Sequence, residues 1–228
     1  YNVYAGSSHN SGEADNNNAA RADVAMQHNG GPALTVWVDT IDKVKAALAG
    51  GADWIIFGGD RYSTRDVTFG DYETAARLTR EAGRNIAFST PRIVKEGQLG
   101  YFAKFLQQAE ACGIGLLYVH NTSIWQLAKE MGLRIPLWAD MSLNIYNTQS
   151  LQFWQEAGAT GATLSVELNM GQLAHLSKVS PLPLECMVQG PIEMMVSAYC
   201  AGGSFLGNLG KGTCTFKCKE EIYLQDRK

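Results

Sequence analysis

From Pro32 onward the chain alternates between short runs rich in β-branched and aromatic residues and amphipathic stretches of ten to fifteen residues. "ALTVWV" is followed by "DTIDKVKAALAGGA", where Ile41, Val44, Ala47 and Leu48 fall on one helical face. Asp39 or Thr40 supplies the N-cap, and Gly50-Gly51 ends the helix. The alternation continues through the strand-like runs "DWIIFGG", "NIAFST", "IGLLYVH", "IPLWAD", "ATGATLSVEL" and "PLECMVQG". Between them lie the helix-like stretches "DYETAARLTREAG", "QLGYFAKFLQQAEACG", "SIWQLAKEMG", "TQSLQFWQEAG" and "NMGQLAHLSKV". Seven strands and six helices in strict alternation predict an α/β fold of parallel strands with right-handed crossovers. A doubly wound sheet shares this alternation, but Val38-Asp39-Thr40 stands where a G-x-G-x-x-G would follow the first strand. Seven near-equal units instead predict a TIM-like (β/α) barrel over residues 32–190, with seven to eight strands and any eighth unit supplied from beyond the ends.

The flanks differ in composition. Residues 1–31 are polar and Asn-rich and read as a linker or the tail of a preceding domain, with a short helix around Ala19 to Gln27. Residues 191–228 form a Gly- and Cys-rich extension. The chain starts at Tyr1 and stops at "YLQDRK" without a cap, so both ends read as cuts in a longer protein. At 228 residues and 46% hydrophobic it can bury a full core, and no apolar run approaches the roughly 18 residues of a membrane span. A net charge of −3 restricts any nucleic-acid contact to a local patch. Five cysteines are odd in number and few for a disulfide scaffold, which points to a reducing, cytoplasmic setting with thiols free or metal-bound.

In a βα barrel the loops after the strands form the working face. Those positions carry Asp60, Arg61, Ser89, Arg92, His120, Asn121, Asp140, Ser142, Asn144, Glu167, Asn169 and Gln189. Any one of them could merely cap the following helix. Arg61, Asp140 and Glu167 together, a cation and two carboxylates converging on one cleft, suit acid/base work or anion binding. Asn144 adds an amide on the same face. His9 and His28 fall in the polar leader and His175 on a solvated helix, so only His120 ends a strand at the working face. Neither H-E-x-x-H nor G-x-S-x-G occurs, and Cys112 and Cys186 read as packing residues.

Cys200, Cys214 and Cys218 are different. They are separated by thirteen and then three residues in a stretch with five glycines, Gly202, Gly203, Gly207, Gly210 and Gly212, whose backbone freedom lets a chain wrap an inorganic centre. Soft thiolates select iron–sulfur clusters or zinc, and three unmetallated thiols remain the bland alternative. Lys211, Lys217, Lys219, Arg227 and Lys228 accompany them, either as a grip for a phosphate backbone or as a solvated tail.

The run "LPLECMVQGPIEMMVSAYCAGGSFLG…GTCTFKC" resembles the signature region of the collagenase-like peptidase family U32, whose catalytic type is unknown. "VKAALAGGADWIIFGGDRYSTRD" resembles the family's opening motif, and "DMSLNIYNTQSLQFWQEAGATGATLSVELNMGQL" its central block, so the resemblance covers about residues 34–228. It implies a TIM-like fold and oxygen-independent hydroxylation of an RNA base or a similar aromatic substrate, with prephenate as the small-carboxylate oxygen donor. It also implies a 4Fe-4S cluster with Cys200, Cys214 and Cys218 at three ligand positions and the fourth beyond Lys228. Glu193 and Gln189 depart from the signature, which usually has Cys and His at those places. A fragment with three ligands would hold no metal, or zinc. Arg61 or Arg92 would hold the donor's carboxylate, and Glu167 or Asp140 would move protons. The alternatives are a peptidase, as the family label says, and a non-catalytic zinc-stabilised binding module. Membrane contact is not expected, and the sequence does not name a partner subunit.

Overall fold

The computed structural model describes residues 2–5, 32–60 and 67–192. Its elements run β1 (Asn2–Ala5), β2 (Leu34–Val38), α1 (Ile41–Ala49), β3 (Trp54–Gly58), α2 (Phe69–Glu81) and β4 (Asn85–Ser89). They continue through α3 (Leu99–Ala111), β5 (Leu116–Val119), α4 (Thr122–Glu130), β6 (Leu137–Ala139), α5 (Thr148–Glu156), β7 (Ala159–Thr163), α6 (Met170–Val179) and β8 (Leu184–Met187).

Four of the strands leave the sheet into a loop whose polar residue caps the next helix. Thr40 accepts from the Lys43 N–H, Asn121 from Ile124, Asn147 from Ser150 and Asn169 from Gln172, each bond satisfying a backbone donor that the helix leaves free. The capping reading is therefore correct for Asn121 and Asn169. Seven strands, β2 to β8, pair in parallel order, and β1 lies antiparallel between β8 and β2, closing the barrel.

That closure corrects two expectations. The first residues of the stretch read as a linker, residues 1–31, are a barrel strand: Asn2 stands opposite both Thr35 and Met187. The closing strand also comes from within the chain and not from beyond its ends, and it is antiparallel, with no βα unit of its own. A four-residue run leaves little periodicity to read, and its pairing is set by partners up to the far end of the barrel. The short helix expected around residues 19–27 lies outside the described residues.

Period-two alternation along the strands separates two cores. Ile55, Phe57, Phe88, Leu117 and Val119 face outward onto the helices, where they meet Val44, Ala75, Leu106 and Ile124. Trp54, Ile56, Ala87, Leu116, Tyr118 and Trp138 fill the interior of the barrel, with Trp37 partly buried against them. Gly161 is required there, because a Cβ at that position would overlap the Trp138 ring. Cys112 and Cys186 are half-buried thiols packed against the outer core, as expected. Among the described residues no helix is long and apolar enough to cross a membrane.

Candidate functional site

Three adjacent strands, β4, β5 and β6, end in Ser89, His120 and Asp140. Parallel pairing sets these ends side by side, and their side chains form a buried chain. Ser89 Oγ lies 2.8 Å from His120 Nε2, and His120 Nδ1 lies 3.1 Å from Asp140 Oδ2. The second approach is out of line with a straight hydrogen bond, so it is an electrostatic contact more than an aligned bond. Asp140 as a carboxylate can only accept, which assigns the ring proton to Nδ1 and makes Ser89 the donor to Nε2. Burial lowers the His120 pKa below the ordinary imidazole value, against the raising effect of Asp140 and Asp60. His120 is therefore a neutral base at pH 7.

The backbone fixes this chain in place. The Ser142 N–H donates to Asp140 Oδ2 at 2.9 Å, and Ser142 Oγ donates to the His120 carbonyl at 2.9 Å. Among the described residues Asp140 Oδ1 is buried without a hydrogen-bond partner. Asp60, at the end of β3, accepts from the Arg92 backbone N–H, and the Arg92 Nε stands 3.7 Å from its Oδ2. Trp37, at the end of β2, sets its ring 5.1 Å from that of His120.

A second polar group lies deeper in the interior. Glu185 on β8 is 1% exposed and accepts from Tyr118 Oη at 3.2 Å and from Thr163 Oγ1 at 2.7 Å. Trp138 Nε1 donates to that same Thr163 oxygen at 2.9 Å. Burial raises the Glu185 carboxyl from 4.5 to about 7, opposed by hydroxyls of Thr163, Thr35 and Tyr118 and reinforced by Asp140. The Thr35 hydroxyl sits beside the carboxyl without a well-formed hydrogen bond. Burial and the neighbouring Glu185 also push the Tyr118 phenol well up.

The match to the model of peptidase family U32 covers residues 39–228. The chain belongs to peptidase family U32. Escherichia coli tRNA hydroxylation protein P is 24% identical over 204 residues, 86% of this chain and 45% of its own length. The E. coli 23S rRNA 5-hydroxycytidine C2501 synthase is 21% identical over 187 residues, 80% of this chain and 28% of that protein. The chain thus spans less than half the length of these relatives. The U32 peptidase Mk0906 superposes with a TM-score of 0.54 at 9% identity over 69% of each chain, a likeness of fold alone.

Of the residues singled out from the sequence, the structure brings Ser89, His120 and Asp140 together and pairs Asp60 with Arg92. Glu167 does not join them. The run "ATGATLSVEL" leaves the strand after Thr163, and a tight turn in which the Glu167 N–H donates to Ser165 Oγ leaves the Glu167 side chain exposed. It makes no hydrogen bond or ion pair among the described residues. Asn144 is exposed and ends a 3₁₀ turn in the left-handed conformation, φ 60°, so its local role is backbone geometry. Among the described residues Asp140 is therefore grouped with Ser89 and His120, while Arg61 of the expected set lies outside them. Arg61, Cys200, Cys214, Cys218, His9 and His28 lie outside the described residues. Among those described, no three His, Cys, Asp or Glu gather to hold a metal ion.

Sequence reasoning passed over Glu185, Tyr118 and Thr163. One signal was present: a lone Glu between apolar neighbours in "PLECM", at a position whose parity points into the barrel.

Proposed function

We propose that this chain is the barrel part of an oxygen-independent RNA hydroxylase that inserts a hydroxyl group into a base of transfer or ribosomal RNA. The observation that carries this reading is the buried His120–Asp140 pair at the C-terminal mouth of a U32 barrel whose relatives are named for RNA hydroxylation. Hydroxylating a ring carbon replaces C–H by C–OH, a two-electron oxidation in which the ring hydrogen leaves as a proton and the oxygen donor is reduced as it gives up its oxygen. Nε2 of a neutral imidazole held by a carboxylate suits removal of that proton once the Ser89 hydroxyl, 2.8 Å from that nitrogen, turns aside.

Cys200, Cys214 and Cys218 are the residues that would hold a 4Fe-4S cluster, with a fourth ligand from beyond Lys228. Three thiolates in a glycine-rich run of the sequence fit that group in donor chemistry. When bound, such a cluster supplies the iron redox chemistry of oxygen transfer. The chain's own residues do the rest. Asp140 holds the His120 tautomer, Ser89 orients Nε2, and Arg92, next to Asp60, offers a cation for a small carboxylate oxygen donor of the prephenate type. An RNA substrate makes the cytoplasm the place of action.

Complementation tests the reading. RNA from a strain lacking the whole protein is digested and its nucleosides are weighed. A hydroxylated nucleoside should vanish on deletion and return with the wild-type gene. An unchanged nucleoside profile would refute the proposal.

One observation favours a second reading, a hydrolase. Ser89, His120 and Asp140 have the connectivity of a nucleophile, base and orienting acid. Against it, Ser89 is 1% exposed, and the position of a Cβ on Gly59 would stand 2.9 Å from its Oγ, so backbone covers the hydroxyl. A protease activity that survives purification and disappears in Ser89→Ala would establish this alternative. Stoichiometric zinc in the whole protein with unchanged RNA would instead favour a binding module.

A further inference from the structure

The chain contains five tryptophans. Trp54, Trp125, Trp138 and Trp154 are buried, whereas Trp37 is half-buried although it too faces the barrel interior. Its neighbours Val36 and Val38 take the outward positions on β2, so strand parity, not chance, turns the indole inward at the end of the strand. The ring is braced by its tilted contacts with His120, at 5.1 Å and 45°, and with Tyr118, at 6.4 Å and 48°. Beside the edge of the ring lies Gly59, with φ at +87°, a conformation other residues rarely adopt. A Cβ there would come within 3.4 Å of the indole Cζ2 and 2.9 Å of Ser89 Oγ. A glycine therefore keeps side-chain atoms away from the one place where the partly open indole and the Ser89–His120 pair meet.

We propose that Trp37 is the stacking platform for the substrate's nucleobase, presenting the ring edge toward His120 and Asp140. This rests on the RNA reading above and deepens it. A planar heteroaromatic ring matches both parts of the site. Its π-face suits an indole that the fold holds rigid, and its polar edge suits groups that donate and accept hydrogen bonds. Asp140 Oδ1 is a buried acceptor that finds no donor among the described residues, and base edges carry N–H groups. An aliphatic substrate would use neither feature.

The test is calorimetric titration of the whole protein with cytidine and uridine monophosphates, with ribose 5-phosphate as the control, in wild type, Trp37→Phe and Trp37→Leu. Phe keeps a π-face; Leu keeps apolar bulk without one. The expected result is binding of the nucleotides but not of ribose 5-phosphate, with Leu weakening it by about tenfold or more and Phe by much less. Unfolding midpoints measured beside each titration separate loss of fold from loss of binding. Equal affinity of the Phe and Leu variants, equal binding of ribose 5-phosphate, or no nucleotide binding by folded wild type would overturn the proposal. The two readings fail separately. Nucleotide binding through Trp37 with no hydroxylation lost in the deletion strain sinks only the function. Hydroxylation that persists undiminished in a folded Trp37→Leu protein sinks only the platform.

Discussion

Glu185→Gln isolates the cost of a buried carboxylate. Burial raises this group from 4.5 to about 7, so between those pH values the folded protein holds a proton that the unfolded chain has released. Stability then falls as pH rises across that window, because the unfolded state binds fewer protons. At roughly 1.4 kcal/mol per pH unit, the wild type loses about 3 kcal/mol between pH 4.5 and pH 7 from this one site. Glutamine keeps the shape and an acceptor for Tyr118 or Thr163, and the hydroxyl facing its amide can turn to accept. It has no proton to lose. Thermal unfolding of wild type and variant across pH 4 to 8 reads the effect directly as the difference between the two midpoints, in which all other titrations cancel. That difference should move in favour of the variant by roughly 6–12 °C from the acid to the neutral end. A flat difference across the window would refute the account of Glu185 as an interior carboxyl held protonated by its surroundings.

The remaining expectations concern packing, proton handling and the thiols. Gly161→Ala forces a methyl into the Trp138 ring and should cost about 1–3 kcal/mol in denaturant titration, with a change in near-UV circular dichroism from the displaced indole. Asp140→Asn removes the group that fixes the His120 tautomer and should lower the hydroxylated nucleoside made by the whole protein about a hundredfold or more, with unfolding checked in parallel. Cys200→Ser, Cys214→Ser and Cys218→Ser should each lower the iron retained after anaerobic reconstitution of the whole protein. Wild-type protein that stays colourless with its thiols intact would count against the cluster.

How far the sequence foretold this structure differs from part to part. Helices and parallel strands were legible because each is a local pattern, an apolar stripe or a buried run closed by Thr40, Asn121, Asn169 or a glycine. The closing strand at Asn2–Ala5 was not, since four residues carry no period and their partners are some thirty and one hundred and eighty residues away. His120 stood out as the one histidine at a strand end. Asp140 stood out as well, but its grouping with His120 and Ser89 did not, because the three become neighbours only when β4, β5 and β6 are laid side by side. Tyr118 and Glu185 are 67 residues apart and meet across the barrel, a contact that no spacing rule encodes. Glu167 misled because the strand before it ends four residues early, where the backbone turns on Ser165.

The most direct measurement is a reaction on RNA that lacks the modification. RNA from the deletion strain is incubated without oxygen with the reconstituted whole protein and the small-molecule fraction of a cell extract, then digested and weighed. The account predicts one nucleoside heavier by a single oxygen atom with wild type and almost none with Asp140→Asn. RNA that gains no oxygen in the presence of protein with its cluster assembled would contradict it.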